Sequence, residues 1–429
     1  YARCHDIGFY NITQFDEEFM KKMVSMKFID SLAEVTKFTN DANEFIGQAV
    51  RDAIVGSNAS GGETTIVPKI DVMLVDFGAW SGSAVADVFK IPVLLMWPLT
   101  LQFPTELNPG IPAIGSSLSM RMSFTERLLN YVIQRVYLAA LTFQTTPEYN
   151  RIRALIGAGP VDMFDLYYRR HILSPSIFGL DLAQPLCPNV HPVGFLNRMA
   201  STSELSSNYL PEEWRRFFDA CYFGLIYINM GSVAVLPDEW LLEIEKAAVA
   251  LAAEGYCVVW KVTARQMNRV TKASSFEGTV EGGQRRLRLT QHLPFSPRLL
   301  LAHLNTKTFV THCGDTSVYE SVHQIVPMVG IPLFADQADM CARIADAGVG
   351  LVLDKFTFSG SDLYNNVNQI VATSGARKEK LQLLRAMGEG MGGATKAAEW
   401  LEVVAENADL LDMFYCQHMD LPWYQRHDV

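Results

Sequence analysis

The stretch that decides the fold of this chain is Phe309-Val-Thr-His312-Cys-Gly314-Asp-Thr316-Ser317-Val-Tyr-Glu320, continued by Val326-Pro-Met-Val-Gly-Ile-Pro332-Leu-Phe-Ala-Asp336-Gln337. Its pattern predicts a strand, a tight turn, a helix, a second strand and a loop with two polar side chains. A helix that follows a parallel strand presents free backbone N–H groups and a positive dipole end. The stretch therefore predicts an anion-binding turn at the carboxyl edge of a parallel sheet, where open α/β folds bind ligands.

Polar side chains surround this predicted helix N-terminus. His312, Thr316 and Ser317 offer hydrogen-bond donors near the anion, and Glu320 lies one turn into the helix. The next strand ends in a carboxylate and an amide at the same edge of the sheet, Asp336-Gln337. We expect this arrangement to bind a phosphate with hydroxyl-rich groups on either side, as in a nucleotide sugar.

Local interpretations of the same residues stay open. Ser317 and Glu320 have the spacing of a capping box, in which both side chains satisfy backbone N–H groups. Asp336 could cap the helix predicted from residue 337. His312 could hydrogen-bond a nearby carbonyl and bind no ligand.

The rest of the chain alternates predicted strands and helices, which is typical of parallel sheets covered by helices. Strands are expected at residues 71–75, 92–96, 225–229, 257–260, 308–311, 328–331 and 350–353. Helices are expected at residues 15–55, 83–89, 124–143, 237–253, 317–323, 337–347, 361–373 and 394–405. Residues 188–212 lose periodicity and predict a linker, and residues 263–284 predict a mobile polar loop. We therefore expect domains at 1–205 and 206–395, followed by a C-terminal helix and tail at 396–429.

The bulk composition bounds the class of protein. The 429 residues are 49% hydrophobic and 19% charged, which suffices for the cores of two domains. The net charge of −10 argues against a nucleic-acid-binding surface, which would be basic. The 7 cysteines show no metal-ligand spacing, and their odd number predicts small buried side chains rather than a disulfide framework. No run reaches the ~18 apolar residues of a membrane-spanning helix.

Together these motifs resemble the C-terminal signature of the UDP-glycosyltransferases, and their wording is similar to that of the animal-type branch. The family pattern F-x-T-H-x-G-x-N-S-x-x-E is matched from Phe309 to Glu320. The pattern G-V-P-M, then P, then D-Q-x-x-N is matched from Val326 to Met340. The resemblance implies a GT-B α/β architecture, in which two Rossmann-like doubly wound domains face a cleft. The first domain would bind the acceptor and the second the UDP-sugar.

The resemblance also implies roles for single residues of the second domain. The diphosphate would be bound by His312, Gly314 and Ser317, and the ribose hydroxyls by Glu320. The hydroxyls of the sugar would contact the pair Asp336-Gln337. A carboxylate and an amide can each bond two hydroxyls, which suits pyranose recognition.

Other positions match the family pattern less completely. The strand exit Gly231-Ser232 would lie near the diphosphate. Thr316 and Met340 stand where the family has Asn, so each offers fewer hydrogen bonds. His292 replaces a Trp that stacks on uracil, and Phe295 replaces a Gln. Both of these residues could instead pack in a loop or in the core.

The catalytic machinery is only partly recognisable. Asp76 follows the strand predicted at residues 71–75 and matches the aspartate that orients the catalytic histidine of the family. A carboxylate behind a histidine fixes its tautomer and stabilises its charged form when it takes a proton from the acceptor. Alternatively, Asp76 could form an Asx turn at the strand end. The histidine itself is expected upstream of Tyr1, because His5 lacks the family context.

The activity implied by the resemblance is inverting transfer of a hexosyl or hexuronosyl group. The donor would be a UDP-sugar, the acceptor a hydroxyl of a small lipophilic molecule, and no metal or other cofactor is expected. The alternatives are a non-catalytic nucleotide-sugar-binding protein and another GT-B enzyme such as a UDP-sugar epimerase. The complete protein is expected at the endoplasmic reticulum membrane, on its luminal side.

Overall fold

The computed structural model describes residues 22, 25, 28–55, 70–102, 108–162, 169–182, 184–197, 210–231, 234–280, 283–407 and 413–415. The first part of the chain forms helices and the strands of one sheet. Its elements are α1 (Phe28–Val55), β1 (Met73–Asp76), a 3-10 turn (Phe77–Ala79), α2 (Ser81–Phe89), β2 (Val93–Met96), α3 (Phe124–Ala140), a π-helical turn (Leu141–Thr145), α4 (Thr146–Ile156), β3 (His171–Ser174) and β4 (Val190–Pro192).

The second part of the chain contains the strands of the other sheet and the remaining helices. Its elements are α5 (Glu212–Ala220), β5 (Leu225–Asn229), α6 (Asp238–Glu254), β6 (Cys257–Lys261), α7 (Ala264–Met267), α8 (Thr271–Ser274), β7 (Leu287–Thr290), α9 (Pro297–Ala302), β8 (Thr306–Thr311), α10 (Asp315–His323), β9 (Met328–Gly330), α11 (Gln337–Asp346), β10 (Gly350–Val352), α12 (Gly360–Ala372), α13 (Ser374–Gly390) and α14 (Gly393–Glu406).

Four strands form the first sheet in the order β1-β2-β3-β4, and all its pairings are parallel. Strand β2 is buried on both faces, which explains its continuous apolar run. Leu95 belongs to a buried cluster that includes Ile152 of α4. Leu94 points the other way and clusters with Ala397 and Val404 of α14. The last described helix therefore returns to cover the first sheet.

Six strands form the second sheet in the order β10-β9-β8-β5-β6-β7, again with parallel pairings. The side chains of alternate β5 residues pack in two separate cores. Ile226 and Ile228 pack in the cluster that contains residues of α6 and α12. Leu225 and Tyr227 pack in the cluster that contains residues of α5, α9, α10 and α13. Helices thus cover both faces, as in a doubly wound fold.

The strand order reverses between β5 and β8. From β5 the chain moves outward to β6 and β7, and from β8 it moves outward the other way to β9 and β10. A crevice opens at such a switch point, outside the carboxyl ends of the two strands, and ligands bind there. The two turns that border it begin after Asn229 and after Thr311.

Three sequence predictions about secondary structure differ from the observed elements. Helix α10 starts at Asp315 and not at residue 317, since Gly314 takes the N-cap geometry with φ −64° and ψ 138°. The predicted loop at 263–284 contains α7 and α8. The buried Glu245 of α6 holds α8 by accepting a 2.9 Å hydrogen bond from the Ala273 amide. Strand β4 lies inside the predicted linker at 188–212. The predicted domain boundary at residue 205 lies outside the described residues.

The prediction that the cysteines are merely small buried residues is wrong for five of them, because Cys187 is also disulfide-bonded. Cys221 and Cys257 form one disulfide, and Cys313 and Cys341 form another. The partners are 36 and 28 residues apart, so spacing along the chain gave no sign of either pair. Only the packing of α5 beside β6, and of the β8–α10 turn beside α11, brings the sulfur atoms together.

Candidate functional site

The turn between β8 and α10 leaves the N-terminus of the helix open. Cys313 adopts a positive φ of 65°, and Gly314 follows as the N-cap without any side-chain capping bond. The backbone N–H of Val318 is the first to bond back, to the Gly314 carbonyl at 3.0 Å. The preceding amides of the first turn are therefore available to an anion, as the sequence predicts.

The imidazole of His312 lies between two glycines that tolerate no side chain. A Cβ atom at Gly314 would lie 2.6 Å from Nε2 of His312, and one at Gly231 would lie 3.1 Å from the same atom. Gly231 also has a φ of 90°, a conformation that favours glycine. The structure therefore brings His312, Gly231 and Gly314 together at the switch point. Ser232 lies outside the described residues.

His312 is held as a neutral imidazole. Burial is the largest influence and lowers its pKa to about 4, although a hydrogen bond with the backbone of Asn229 acts in the opposite direction. The nearby positive charge of Lys261 lowers the pKa further. Its Nδ1 atom is shielded and has no hydrogen-bond partner among the described residues. A neutral imidazole can donate one hydrogen bond to a phosphate oxygen without adding a net charge.

Glu320 lies on α10 beyond this anion site and is partly buried. Burial raises the pKa of Glu320, and the positive charge of Arg298 on α9 opposes that rise. The predicted capping box with Ser317 is not formed, since Ser317 is the third residue of the helix and caps nothing. Both side chains are therefore available to a ligand, and Thr316 beside them is exposed.

Asp336 and Gln337 follow β9. Gln337 uses its side-chain oxygen within the protein, whereas other polar atoms of the pair can bond a ligand. Oε1 of Gln337 accepts from the amides of Leu333 and Phe334 at 2.9 and 3.1 Å. Only its Nε2 group remains for a sugar hydroxyl. Asp336 is the N-cap residue of α11, as the alternative interpretation expects, but its side chain makes no capping bond. Burial raises the pKa of Asp336 to about 6.

A segment of the first domain is docked on α11 by buried charged groups. Asp339 accepts from the amides of Gly115 and Ser117 at 2.5 and 2.9 Å. Arg343 donates to the carbonyl of Leu118 and lies 3.2 Å from Asp346. The helix that begins directly after Asp336 is thus in contact with both domains.

The other predicted site residues lie in simpler surroundings. His292 is exposed, and its carbonyl accepts a 2.6 Å bond from Oγ1 of Thr290. The ring of Phe295 packs edge-on against Trp214, with centroids 5.3 Å apart. Asp76 accepts a 2.8 Å bond from the Gly78 amide, which is the Asx turn considered as its alternative. The roles expected of His292 and Phe295 toward uracil, and of Asp76 toward a catalytic histidine, stay predictions.

Sequence reasoning missed several charged groups at this edge. Lys261 ends β6 beside Asn229, and Arg298 lies on α9 near Glu320. Asp315 occupies the first position of α10, and Asp339 contacts the first domain. The position of Lys261 directly after an apolar strand was a usable signal, because the carboxyl ends of parallel strands meet at one edge. Nothing in the local sequence around Asp339 indicates a contact with residues so distant along the chain.

Comparison with known proteins identifies the family. A family model described as UDP-glucoronosyl and UDP-glucosyl transferase matches residues 9–429. The chain belongs to this family. UDP-glucuronosyltransferase 2B15 of Homo sapiens is 26% identical over 373 residues, which make up 84% of this chain and 66% of that relative. UDP-glucuronosyltransferase 2B17 of Rattus norvegicus is 28% identical over 375 residues, with the same shares covered. The chain thus spans 66% of the length of these curated relatives.

Solved structures confirm the predicted GT-B fold of this family member. The glycotransferase of kitacinnamycin superposes with a TM-score of 0.58 at 17% identity, covering 88% of this chain and 85% of that one. A UDP-glucosyltransferase from Polygonum tinctorium, capable of glucosylating indoxyl, gives 0.58 at 21% identity, covering 86% and 83%. At these identities the likeness concerns the fold alone.

The residues that the structure describes contain neither a membrane-spanning helix nor a metal-binding cluster. Within those ranges, no helix combines the length and apolar character that a membrane crossing requires. In the same residues, His, Cys, Asp and Glu side chains form no group of three or more able to hold a metal ion.

Proposed function

We propose that this chain binds a UDP-sugar at the switch point between β5 and β8, with its diphosphate on the N-terminus of α10. The observation that carries the proposal is the neutral His312, held between Gly231 and Gly314 beside an open helix N-terminus. The glycines allow a phosphate to approach the backbone, and the helix dipole favours its negative charge. Family membership supports UDP as the nucleotide.

The remaining residues would orient the two ends of the donor. Glu320 would accept hydrogen bonds from the ribose hydroxyls, and Asp336 with Nε2 of Gln337 would bind the sugar hydroxyls. The positive charges of Lys261 and Arg298 lie on the nucleotide side of this edge. Fixed donors at the diphosphate stabilise the charge that develops on the UDP leaving group.

In the whole protein, we propose inverting transfer of a hexosyl or hexuronosyl group to a hydroxyl of a small lipophilic acceptor. One oxygen of Asp76 accepts from the Gly78 amide. Its other oxygen would orient the ring of a histidine base, which takes the hydroxyl proton as the oxygen attacks the anomeric carbon. The names of relatives, UDP-glucuronosyltransferase and UDP-glucosyltransferase, support this class of reaction.

We also propose that the whole protein works on the luminal side of the endoplasmic reticulum membrane. The disulfides Cys221–Cys257 and Cys313–Cys341 support this location, because disulfides persist in oxidising compartments and are rare in the cytosol. Protease protection of the full-length protein in sealed microsomes tests it, and digestion without detergent would contradict it.

Isothermal titration calorimetry of UDP against this chain tests the donor site. We expect UDP binding in the wild type and a large loss in Gly231→Ala, because the added Cβ would push into the His312 ring. Gly375→Ala is the matched control, since a Cβ there meets nothing within 4 Å. The proposal is wrong if wild-type protein does not bind UDP, or if both alanine variants bind it equally well.

A further inference from the structure

We propose that the exposed side of α3 rests on a phospholipid bilayer, with its apolar side chains among the acyl chains and its arginines at the lipid phosphates. The helix would lie along the surface of the bilayer rather than cross it. This contact belongs to the first domain and is independent of the proposed UDP-sugar site. It adds to the proposed membrane location a surface of the folded chain that touches lipid.

Helix α3 is attached to the rest of the first domain through its polar side. Oδ1 of Asn130 accepts a 2.6 Å hydrogen bond from the Ala113 amide, and Nδ2 donates to the Ile111 carbonyl at 2.7 Å. One turn further along, Nε2 of Gln134 donates to the carbonyls of Asn108 and Ile111 at 2.8 and 2.9 Å. Both of these amide side chains are buried. They bond backbone groups of the neighbouring loop, so the polar side of the helix faces the protein.

The opposite side of α3 is apolar and exposed to solvent. Phe124 at its start is 82% exposed, and Phe143 in the π-helical turn that follows is 78% exposed. Between them, exposed apolar side chains recur every four residues, and residues at this spacing lie on one side of a helix. They are Leu128, Val132 and Val136, with Leu129 beside them. Surface helices of globular proteins show the reverse arrangement, with the polar face outward. A contiguous exposed apolar strip therefore marks an interaction site.

The charges of this segment suit the phosphates of a lipid surface. Residues 120–146 carry three arginines and one glutamate, although the whole chain has a net charge of −10. Arg127 and Arg135 donate to backbone carbonyls of their own segment, and such bonds leave the positive charges uncompensated. Glu126 accepts instead from the amide and the hydroxyl of Ser123, both at 2.7 Å. An amphipathic helix with cationic flanks binds at the interface of a bilayer, where arginine side chains reach the headgroups.

A lipid surface fits this side of the helix better than a second copy of the chain does. In a two-fold dimer the same surface would face itself, so the arginines of one copy would approach those of the other. The guanidinium of Arg135 lies 3.2 Å from the centroid of the Tyr131 ring, at the edge of the apolar strip. An aromatic ring with a polar tip and a long cationic side chain are both typical of the headgroup layer of a membrane.

A contact at α3 would orient both domains against the bilayer. The chain just before the helix is held by α11, because Asp346 accepts from Oγ of Ser119 at 2.5 Å and from the Met120 amide at 2.9 Å. With 17 residues, α3 is about 25 Å long. The apolar strip is thus a fixed surface of the folded protein and not a loose tail.

Sedimentation with vesicles measures the contact. The whole chain is incubated with vesicles of phosphatidylcholine, with or without phosphatidylserine, and the bound fraction is measured after centrifugation. We expect binding to both, tighter with phosphatidylserine and weakened by added salt. The double variant Leu128→Ser, Val132→Ser should bind more than about tenfold more weakly, because two apolar side chains no longer enter the lipid. Leu304→Ser with Leu383→Ser is the matched control, since both leucines are exposed elsewhere on the protein.

A charge variant tests the role of the arginines. Arg121→Gln with Arg127→Gln should remove the preference for phosphatidylserine and leave binding to phosphatidylcholine in place. Thermal unfolding of this variant and of the serine pair should match the wild type, because all four replaced side chains are exposed.

Wild-type protein that stays unbound with both kinds of vesicle overturns the inference. So do equal losses of binding in the α3 serine pair and in its control, which would assign lipid binding to another surface. If the wild type ignores vesicles and the serine pair turns a dimer into a monomer in light scattering, a second copy covers the helix. Should the serine pair not fold, the glutamine pair decides: a wild-type preference for phosphatidylserine there overturns the role of α3. UDP affinity should be the same in all these proteins, so the donor site and the lipid contact stand or fall separately.

Discussion

The carboxyl edges of the two sheets differ in how far they are organised before any ligand arrives. At the edge of the second sheet, His312 is fixed between two glycines and its pKa is lowered to about 4 by burial. At the edge of the first sheet, Asp76 is exposed and bonds only its own turn. The difference indicates that the proposed nucleotide-binding edge is preformed. The proposed acceptor-binding edge depends on parts that these strands alone do not supply.

The largest expected effect comes from adding one methyl group to the preformed edge. In Gly314→Ala, the new Cβ would lie 2.6 Å from Nε2 of His312, so the ring must move and the turn must change shape. Loss of one or two hydrogen bonds to charged phosphate oxygens corresponds to roughly a hundredfold weaker UDP binding. Calorimetry measures the loss, with Gly390→Ala as a control at a position where a Cβ meets nothing. Unchanged UDP affinity in Gly314→Ala would contradict the conclusion that this edge of the second sheet is a preformed binding site.

A smaller effect is expected at the ribose end. Glu320→Gln keeps the shape of the side chain and removes its negative charge, which the positive charge of Arg298 favours. Hydrogen bonds to charged groups are worth more than neutral ones, so UDP should bind about tenfold more weakly. Uracil alone should show no difference between the two proteins. An unchanged affinity for UDP would remove Glu320 from the site.

The stability of the protein should depend on pH through two buried groups, Asp339 and His312. Burial raises the pKa of Asp339 to about 7, so its stabilising proton is present at low pH and is lost as the pH rises through 7. Burial lowers the pKa of His312 to about 4, so its contribution to stability is lost as the pH falls from 6.5 toward 4. Between pH 4 and 6.5 the two contributions change in opposite directions and largely offset each other. Above pH 6.5 the loss from Asp339 dominates, so stability should fall between pH 6.5 and 8.

Thermal unfolding between pH 5 and 8 measures this decline. Asp339 alone accounts for about 1 kcal/mol of lost stability between pH 6.5 and 8. Asp339→Asn should flatten that part of the profile, although it also weakens the contact with Gly115 and Ser117. Asp41→Asn, at an exposed position, should leave the profile unchanged. Stability that keeps rising up to pH 8 would contradict the assignment.

The smallest effect is expected at the first sheet. Asp76→Asn preserves an oxygen that can accept from the Gly78 amide, so stability should change by less than about 0.5 kcal/mol. UDP affinity should not change, because Asp76 lies on the other sheet. Transfer by the whole protein should fall by more than about tenfold, since the base loses its orienting carboxylate. A variant with full transfer activity would show that Asp76 serves only its turn.

Much of the second domain could be predicted from the sequence, because its signals are local. The apolar strand before His312, the glycine of the turn and the polar pair at Asp336-Gln337 together indicated a ligand edge. The start of α10 was misplaced by two residues, because Ser317 and Glu320 match a capping box. Glycine at the N-cap leaves no comparable side-chain signal.

The groups that sequence reasoning missed depend on contacts between distant parts of the chain. Asp339 meets Gly115 only when the two domains approach each other. Asp315 reads locally as a favourable acid in the first turn of a helix. Its unusual surroundings come from Asp336, Asp181 and Asp339, which lie on other segments. Burial and charge of this kind arise from tertiary packing and have no periodicity to detect.

The disulfide between Cys313 and Cys341 has a consequence for preparing the protein. It closes a ring of chain across a separation of 28 residues, and that ring contains β9 together with Glu320 and Asp336 of the proposed donor site. Cross-linking a loop of this size stabilises the folded state by about 3–4 kcal/mol, mainly by restricting the unfolded chain. Material made in a reducing bacterial cytosol would lack this bond, and its donor turn would be the first part to loosen on heating. Expression in the periplasm or in a secretory host should therefore yield the form in which the turn and helix α11 move as one unit.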